Sequence, residues 1–254
     1  VYVQQYGETY TKQGGFTYIT YMHEMSTDIC SSMKTNATDI LQDIRGAYTD
    51  PTSTANYSFI KAMDGNCWMR DNLNLYGRTG ANAITAEYSD FGTGTFEIPA
   101  STTWNTNIYN APRVHRATAS SYTAQVYYNW CSAVALSTCA TTQQQDQSIC
   151  PKNWQLPVNG DANTDKSWAK LLNKQNNITT SSALISSALG FTRYYGYWYW
   201  SNNSEHNQGT YGRFWSSTPV SETNAYNLNY TSSAVRPQKS NNKGVGLSIR
   251  CVAR

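Results

Sequence analysis

Apolar and polar residues alternate through much of the last quarter of the chain, from Phe191 to Arg254. Alternation with a period of two is typical of β-strands that bury one face, and short polar stretches between the runs indicate turns. Pro219 and Pro237 limit the interiors of these strands, because proline donates no hydrogen bond to a neighbouring strand. We therefore predict several strands in this region.

A similar pattern occurs nearer the start of the chain, from Asn56 to Leu75. Two β-rich runs there flank Asp64 and Gly65, a dipeptide that strongly favours a tight turn. This arrangement predicts a β-hairpin. The earlier segment from Tyr21 to Cys30 is predicted to form a short helix or a turn.

A helical period replaces the alternation in the middle of the chain. Asp165 to Asn173 places apolar side chains three and four positions apart, which predicts a helix, and Ala124 to Leu136 can do the same. A short apolar segment, Ser181 to Leu189, then leads into the last quarter. Two helices in the middle with strands on both sides predict an α+β fold rather than alternating β-α-β units. The apolar faces consist of Val126, Trp130, Ala133 and Val134 in the first helix and Trp168, Leu171 and Leu172 in the second.

The length of 254 residues is enough for one large domain or two small ones. Val1 to Thr20 alternates but breaks at glycines, so we predict a stalk or a packed hairpin there, followed by one domain from Tyr21 to Arg254. Arg78 to Arg116 is rich in Gly, Thr, Ser and Asn and is predicted to be a long irregular insertion. Two interpretations of it stay open: a functional loop, or a surface excursion fastened by aromatic residues, namely Phe96, Trp104 and Tyr109.

Charged residues make up only 14% of the chain and the net charge is +3, while Tyr, Asn, Ser and Thr are abundant. This composition favours an extracellular or cell-surface protein over a cytosolic enzyme. No lysine- or arginine-rich run occurs, so nucleic acid is not an expected partner. No apolar run is long enough to span a bilayer, so we expect no membrane insertion within this chain.

Six cysteines are spread along the chain without the paired C-x-x-C spacing of a zinc site. An even number of cysteines in a protein of this composition predicts disulfides formed in an oxidising compartment. Cys131 and Cys139 close a short local loop, so their pairing is sterically easy. Six cysteines allow many pairings, however, and the residues alone do not select one.

The common motifs of catalytic and nucleotide-binding sites, such as G-x-S-x-G, H-E-x-x-H and the P-loop, are missing from the sequence. His115 and the neighbours Glu205 and His206 are isolated from other catalytic residue types, so we interpret them as surface residues. We therefore predict no catalytic residues, no cofactor and no enzymatic activity.

Asp161, Asn163 and Asp165 resemble the start of a calcium-binding loop. Lys166 and Leu172, however, occupy the positions of the turn glycine and the bidentate glutamate of such a loop. We therefore predict a helix-capping loop and no metal site.

Aromatic residues are concentrated in the last quarter: they make up twelve of the forty residues from Phe191 to Tyr230, against 13% of the whole chain. Tyr and Trp provide contact area at low rotamer cost, and Ser and Asn provide adaptable hydrogen bonds, so this is the composition of a recognition surface. A strand buries every second residue, so part of the segment is expected in the core: Trp215, Leu228, Leu247, Ile249 and one of Trp198 and Trp200. The alternate positions and the turns give the predicted ligand-binding residues: Tyr195, Tyr197, Tyr199, Asn202, Asn203, Tyr211, Arg213, Glu222, Asn224, Tyr226, Asn241 and Asn242. A slip of one residue would exchange the two faces.

Six phrases occur in a fixed order along the chain: DGNCWMRDNLNL, YYNWCSA, ICPKNWQLP, FWSST, AYNLNY and GLSIRCVAR. Together they resemble the bacterial repeat family named for the Fibrobacter succinogenes major paralogous domain. The match extends from about Tyr21 to Arg254, without much of the insertion. Asn153, Gln155 and Leu247 depart from the usual Gly, Arg and Phe of the family and leave the fold expectation intact.

This resemblance implies a C-type lectin fold, with two helices and a twisted antiparallel sheet tied by disulfides and with long irregular insertions. In that fold the cysteine entering an early helix typically pairs with the last cysteine of the chain. Carried over, the resemblance implies Cys150–Cys251 and, with it, Cys131–Cys139 and Cys30–Cys67. The family is related in architecture to formylglycine-generating enzymes, which act through a reactive cysteine pair near the C-terminus. The C-terminal third here contains only Cys251, which argues against that activity.

The C-terminal segment is also similar to the variable proteins of diversity-generating retroelements. In those proteins adenine mutagenesis changes the displayed residues of a lectin scaffold, and Asn, Tyr and Ser are frequent outcomes. The abundance of asparagine fits such a protein and fits an ordinary member of the paralogous family as well, so both interpretations stay open. The asparagines concerned are Asn202, Asn203, Asn224, Asn227, Asn229, Asn241 and Asn242.

The sequence and the resemblance together predict a non-catalytic domain that binds a macromolecule through its C-terminal strands and loops. The expected partner is a protein or a glycan on another cell or virus surface, as in adhesion. One alternative is a structural cell-surface or pilus-type subunit whose aromatic face packs on a neighbour. A second is a formylglycine-generating-type oxidase, which would have free thiols.

Overall fold

Strands outnumber helices in the computed structural model of the protein, which describes residues 11–12, 16–17, 19–46, 54–101, 104, 111–118, 125–191, 196–199 and 201–254. The strand pairs of its sheets are antiparallel, so the described residues form a mixed α+β structure, as predicted. The strands are β1 (Thr11–Lys12), β2 (Phe16–Thr17), β3 (Thr38–Asp43), β4 (Ala55–Lys61), β5 (Cys67–Met69), β6 (Ile84–Thr85), β7 (Thr95–Phe96), β8 (Val114–Arg116), β9 (Val126–Tyr128), β10 (Trp154–Gln155), β11 (Tyr197–Tyr199), β12 (Ser204–His206), β13 (Tyr211–Pro219), β14 (Asn224–Thr231), β15 (Ala234–Asn242) and β16 (Val252–Ala253). The helices are α1 (Thr27–Ser32), α2 (Trp130–Ala133), α3 (Trp168–Lys174) and α4 (Ser181–Ser186), with 3₁₀ turns at Met22–Glu24 and Gly80–Asn82.

Each of these four helices begins after a polar residue whose side chain caps the first turn. An oxygen of Ser26, Asn129, Ser167 or Thr180 accepts a hydrogen bond from the backbone N–H three residues later. Ser, Thr and Asn are favoured at this position because the bond satisfies a donor that has no partner within the helix. The predicted helix near Asp165 is confirmed as α3, and its three apolar side chains are buried.

The other predicted helix was wrong in its first half. Val126 lies in β9, which pairs with β8, and α2 extends only from Trp130 to Ala133. The four residues of the predicted apolar face are nevertheless all buried. Pairing with a strand of the insertion determines the backbone here, and local periodicity does not reveal such a partner. The prediction of two helices was also too low, because α1 and α4 form from segments whose type was left open.

A five-stranded antiparallel sheet has the order β10-β16-β5-β4-β3, so it combines three strands from the first third of the chain with the much later strands β10 and β16. The predicted hairpin is confirmed as β4 and β5. Its turn contains Gly65 with φ of +90°, a conformation that glycine adopts without a steric penalty. The carboxylate of Asp64 stabilises the turn by accepting hydrogen bonds from the backbone of Asn66 and the indole of Trp68, both at 3.0 Å.

The last quarter forms a three-stranded antiparallel sheet with the order β13-β14-β15, which confirms the strands predicted there. On one side, Phe214, Leu228 and Tyr230 pack into a core that α3 and α4 complete. On the other side, Trp215 and Ala225 join the larger core of the molecule. The described residues predicted for the core are all confirmed as buried: Trp198, Trp215, Leu228, Leu247 and Ile249.

All six cysteines form disulfides, and the pairs are the three that the resemblance implies. They are Cys30–Cys67, Cys131–Cys139 and Cys150–Cys251. The third pair ties the residue before β16 to the segment that leads into β10. All six cysteines belong to the larger core, so the disulfides tie together the elements that surround it.

The insertion is more ordered than predicted. Its described residues contain the second 3₁₀ turn and the strands β6, β7 and β8. Trp104 is buried and Phe96 packs partly buried against the larger core, as expected for a segment fastened by its aromatic residues. Tyr109 lies outside the described residues.

Within the first twenty residues, β1 and β2 pair as a hairpin, and most of the remaining positions of the predicted stalk lie outside the described residues. In the described part of the chain, every helix is too short and too polar to cross a bilayer.

Candidate functional site

Eleven of the twelve predicted ligand-binding residues are described, and none of the eleven is buried. Tyr195 lies outside the described residues, as does Trp200. Tyr199, Asn202 and Glu222 are exposed, and 37% of the surface of Tyr199 is open to solvent. The other eight residues are partly buried: Tyr197, Asn203, Tyr211, Arg213, Asn224, Tyr226, Asn241 and Asn242.

Ring and cation contacts join one group of side chains where the β11–β12 hairpin meets β13. The rings of His206 and Tyr197 are stacked with their centroids 5.6 Å apart, and Tyr199 contacts both rings edge-on. The guanidinium carbon of Arg213 lies 3.9 Å from the ring centroid of Tyr197 and 5.0 Å from that of Tyr211. With one asparagine added, this group is called the tyrosine–arginine cluster: Tyr197, Tyr199, His206, Tyr211, Arg213 and Asn241.

Arg213 lies at the centre of this cluster and is held by two aromatic rings and an amide. Its Nη1 donates a hydrogen bond to Oδ1 of Asn241 at 3.3 Å. Its Nε, Nδ2 of Asn241 and Oδ1 of Asn227 are buried atoms without a hydrogen-bond partner in the described part of the protein. Burial lowers the pKa of the Arg213 guanidinium, and the nearby phenols of Tyr197 and Tyr211 partly oppose that shift. The group nevertheless stays charged at neutral pH, as arginine does in proteins.

Residues of the insertion position the β11–β12 hairpin. The ring of His115 in β8 stacks on Trp198 with centroids 3.5 Å apart, and its Nε2 lies 3.2 Å from Oε1 of Glu205 in β12. The backbone N–H of Trp104 donates to Oδ1 of Asn203 at 2.6 Å. His115 is buried, so its interpretation as a surface residue was wrong. Its partner is 90 residues away in the sequence, which explains why no local pattern revealed the pair.

The surroundings of His115 and Glu205 lower the pKa of both side chains. Burial lowers the pKa of His115, and the contact with Glu205 opposes this only in part. Burial alone would raise the pKa of Glu205, but hydrogen bonds from the N–H and hydroxyl groups of Thr118 and the contact with His115 lower it overall. Glu205 is therefore ionised at neutral pH, while protonation of His115 is disfavoured.

Gly246 allows the hairpin to approach the core. Its backbone exchanges two hydrogen bonds with the backbone of Trp198, at 3.0 and 2.9 Å. A Cβ atom at position 246 would lie within 2.9 Å of atoms of Trp198, Trp104 and Tyr127. A residue with a side chain would therefore push the hairpin away from its support.

Two asparagines of the hairpin turn have different roles. The amide of Asn202 lies 3.1 Å from Nε2 of His206, so this exposed residue adjoins the tyrosine–arginine cluster. Asn203 adopts a φ of 49° and accepts the hydrogen bond from Trp104. Its side chain therefore fastens the hairpin instead of facing a ligand.

The remaining predicted residues do not join the cluster. Asn224 and Tyr226 alternate along β14 with the positions that share a side with Arg213, so they point to the opposite side of the sheet. Asn242 pairs with Asn224 and accepts a hydrogen bond from the backbone of its own turn. Glu222 is exposed in the turn between β13 and β14. The set predicted from alternation is therefore divided between two sides of one sheet.

The carboxylate of Asp161 is engaged within its own loop. It accepts hydrogen bonds from the backbone of Asn163 at 2.9 Å and of Thr164 at 3.1 Å, and these bonds lower its pKa. Ser167 caps α3 and donates its hydroxyl to the backbone oxygen of Asp161. The capping loop predicted here is thus confirmed. No group of three or more His, Cys, Asp or Glu residues that could hold a metal ion occurs among the positions described.

Comparison with known proteins found no family model, no curated protein and no solved structure that matches this chain. The class of the molecule is therefore what its own residues define: a disulfide-tied α+β domain with an aromatic, arginine-centred surface cluster.

Proposed function

We propose that this chain is a non-catalytic, extracellular ligand-binding domain with the C-type lectin fold, of the kind found in the Fibrobacter succinogenes major paralogous domain family. The six phrases of the sequence support this family, and so do the three disulfide pairs. Disulfides persist in oxidising compartments, which supports a location on the cell surface or outside the cell.

The observation that carries the proposal is the tyrosine–arginine cluster. Its side chains come from the paired strands β11 and β12 and from β13 and β15 of the three-stranded sheet, so their positions are fixed by backbone pairing within each sheet rather than by a free loop. Tyr and Arg are enriched among the residues that dominate binding energies, and Asn adds adaptable hydrogen bonds. Three of its six members are tyrosines, and Tyr199 is one of the exposed large hydrophobic side chains among the described residues.

A binding role is supported over an oxidase role by the state of the last cysteine. Cys251 is buried beside β16 and bonded to Cys150, where it ties the central sheet. A reactive cysteine needs access and a thiolate-stabilising environment, which a buried structural disulfide does not provide.

Diversification by a retroelement is a further part of the proposal. The cluster and its surroundings are rich in Tyr, Asn and Ser, the outcomes that adenine mutagenesis frequently gives. A template repeat and a reverse transcriptase gene beside the coding region would support this part. A coding region without either would contradict it and leave the binding proposal unchanged.

The binding proposal is tested by screening the protein against arrays of cell-surface proteins and glycans and then measuring the double variant Tyr199→Ala/Tyr211→Ala. We expect at least about tenfold weaker binding, since aromatic residues of this kind contribute more than 1 kcal/mol each. The melting temperature should fall by no more than about 4 °C, the shift that about 1 kcal/mol causes in a protein of this size.

Tyr88→Ala is the matched control, because the ring of Tyr88 also contacts a histidine edge-on, with its centroid 5.0 Å from that of His23, and Tyr88 is not a member of the cluster. The control should bind like the wild type. Equal binding by the double variant would contradict the proposal. Self-association that the double variant abolishes would instead favour the structural-subunit alternative.

A further inference from the structure

Three cations lie on one side of the β13-β14-β15 sheet. Arg213 of β13 and Arg236 of β15 both pair with Asn229 of β14, and Lys239 of β15 pairs with Asn227. Directly paired residues of neighbouring strands point to the same side of a sheet. Because Asn227 and Asn229 are two positions apart on one strand, the three cations share that side.

The described residues on this side of the sheet give it a positive charge. Its other paired positions on the three strands are aromatic, Asn, Thr, Ala or Pro residues, with no Asp or Glu. The ion pairs found in the described part of the chain all involve other cations. Arg236 and Lys239 are exposed, and Arg213 is partly exposed. An uncompensated patch of one sign attracts groups of the opposite sign and orients them on approach.

The guanidinium of Arg213 is held in a position that suits binding of a carboxylate. The rings of Tyr197 and Tyr211 and the amide of Asn241 fix its guanidinium before any ligand arrives. A planar guanidinium matches a carboxylate through two parallel hydrogen bonds, and prior ordering lowers the entropic cost of forming them.

Protein carboxylates fit this surface better than an acidic polysaccharide does. Polyanionic glycans are favoured by runs of Lys and Arg, and this chain has none. A sugar also needs an open aromatic face, whereas His206 and Arg213 already contact the ring of Tyr197. A mixture of Tyr, Arg and Asn is instead typical of surfaces that bind proteins.

We infer that the partner of this surface is a protein segment bearing Asp and Glu side chains. One carboxylate pairs with Arg213, and others face Arg236 and Lys239. This inference rests on the proposed binding function and adds to it the chemical class of the partner.

The probe is a library of random twelve-residue peptides displayed on phage and selected on the wild-type protein. We expect the retained peptides to be enriched in Asp and Glu. Replacing the acidic residues of a selected synthetic peptide by Asn or Gln should weaken binding at least about tenfold. Higher salt should weaken the wild-type complex as well, because exposed charges are screened.

Variants of the protein locate the contact. We expect Arg213→Met to weaken binding of the acidic peptide at least about tenfold. The double variant Arg236→Gln/Lys239→Gln changes only exposed side chains and should weaken it about threefold. Lys174→Gln is the matched control, because Lys174 is exposed on α3, which packs on the opposite side of the sheet. The control should bind like the wild type.

The outcomes separate this inference from the proposed function. The selected peptides could lack acidic enrichment and yet fail to bind the variant Tyr199→Ala/Tyr211→Ala. That result would overturn the inference and leave the proposed function intact. Peptides insensitive to every cluster variant would contradict both, and so would a protein that retains no peptide and binds nothing on the protein and glycan arrays. If an acidic peptide binds Lys174→Gln as weakly as it binds Arg236→Gln/Lys239→Gln, the inference is overturned. This comparison does not depend on whether Arg213→Met folds. Binding to acidic glycans on a parallel array, without binding to peptides, would overturn the assignment to a protein partner.

Discussion

Asp90 is a buried carboxyl group near the C-terminal residue of the chain. Its Oδ1 accepts a hydrogen bond from Nε of Arg254 at 2.7 Å, and its Oδ2 accepts one from the hydroxyl of Ser148 at 3.0 Å. Burial raises the pKa of Asp90 to about 6, although both of these bonds act to lower it. In the folded protein this group therefore holds a proton more tightly than a carboxyl group in water does.

The raised pKa predicts how Asp90 makes stability depend on pH. An unfolded Asp titrates near pH 4, so between about pH 4 and pH 6 the folded state binds more protons than the unfolded state. The contribution of Asp90 is fully present below that window and is lost as pH rises through it. Relative to Asp90→Asn, the free energy of unfolding of the wild type should therefore fall by about 2–3 kcal/mol between pH 4 and pH 7. Urea titrations of both proteins at the two pH values measure this.

Ser148→Ala is the control for this prediction, because it removes a hydrogen bond that lowers the pKa of Asp90 and keeps the titrating group. It should move the loss of stability to higher pH. A difference between wild type and Asp90→Asn that is the same at pH 4 and pH 7 would contradict the prediction.

At the scale of elements, the β11–β12 hairpin depends on its neighbours. Each strand has three residues, too few for a hairpin that is stable alone. Trp198 anchors it in a small core with Trp104, and His115 stacks on the same indole. The hairpin carries three members of the tyrosine–arginine cluster, so the insertion supports the candidate site.

Removing His115 should therefore loosen the hairpin selectively. In His115→Ala the stack on Trp198 and the contact with Glu205 are lost, and we expect amide hydrogen exchange at residues 197–199 and 204–206 to accelerate at least about tenfold, which corresponds to about 1.4 kcal/mol. Exchange in β14 should stay near the wild-type rate. His23→Ala is a suitable control, since it also removes a stacked histidine ring. The ring of His23 stacks on that of Tyr21, with centroids 5.5 Å apart, and both residues are outside the hairpin. Equal acceleration in both variants, or acceleration throughout β14, would show that the hairpin is not a separate unit.

At the scale of the whole molecule, the strand β16 completes the central sheet. β16 lies between β10 and β5 in the central sheet, so it pairs with strands that come much earlier in the sequence. The backbone N–H of Arg254 donates to the backbone oxygen of Asn153 at 2.8 Å, and the Cys150–Cys251 disulfide secures the same region. Folding therefore has to bring together segments about a hundred positions apart before this sheet is complete.

The three disulfides should differ in their effect on stability according to the loops that they close. The Cys150–Cys251 loop has a sequence separation of 101 and the Cys131–Cys139 loop one of 8. Replacing both cysteines by Ala should cost about 4–5 kcal/mol for the first pair and about 2–3 kcal/mol for the second, in the chain-entropy model. Urea unfolding of the two double variants compares these losses. The reverse order would mean that native packing around Cys131–Cys139, not loop length, determines the effect.

Much of the fold followed from local patterns. The turn at Asp64 and Gly65, the helix α3 and the strands of the last quarter were each predicted from residues close together in sequence. The buried positions Trp215 in β13 and Leu228 in β14 were predicted as well, although their neighbours along both strands are also buried. These predictions were correct because turn geometry, helix capping and side-chain alternation are local properties of the chain.

The candidate site was predicted only in part. Tyr197, Tyr199 and Arg213 were identified from the sequence, but alternation could not show that Tyr226 points away from them across the sheet. His115 was misinterpreted, because its stacking partner Trp198 and its acidic partner Glu205 come from a distant strand.

By itself the sequence therefore determined the strands of the β4–β5 hairpin and of the last quarter, which residues are apolar enough to be buried and that the C-terminal quarter is rich in recognition residues. Only the tertiary structure decided that Arg213 is held between two tyrosine rings, that the insertion fixes the β11–β12 hairpin, and that three cations share one side of a sheet. The physical reason is the range of the interactions. Backbone preferences act over a few residues, whereas stacking, ion pairing and strand register depend on which distant segments meet in the folded chain.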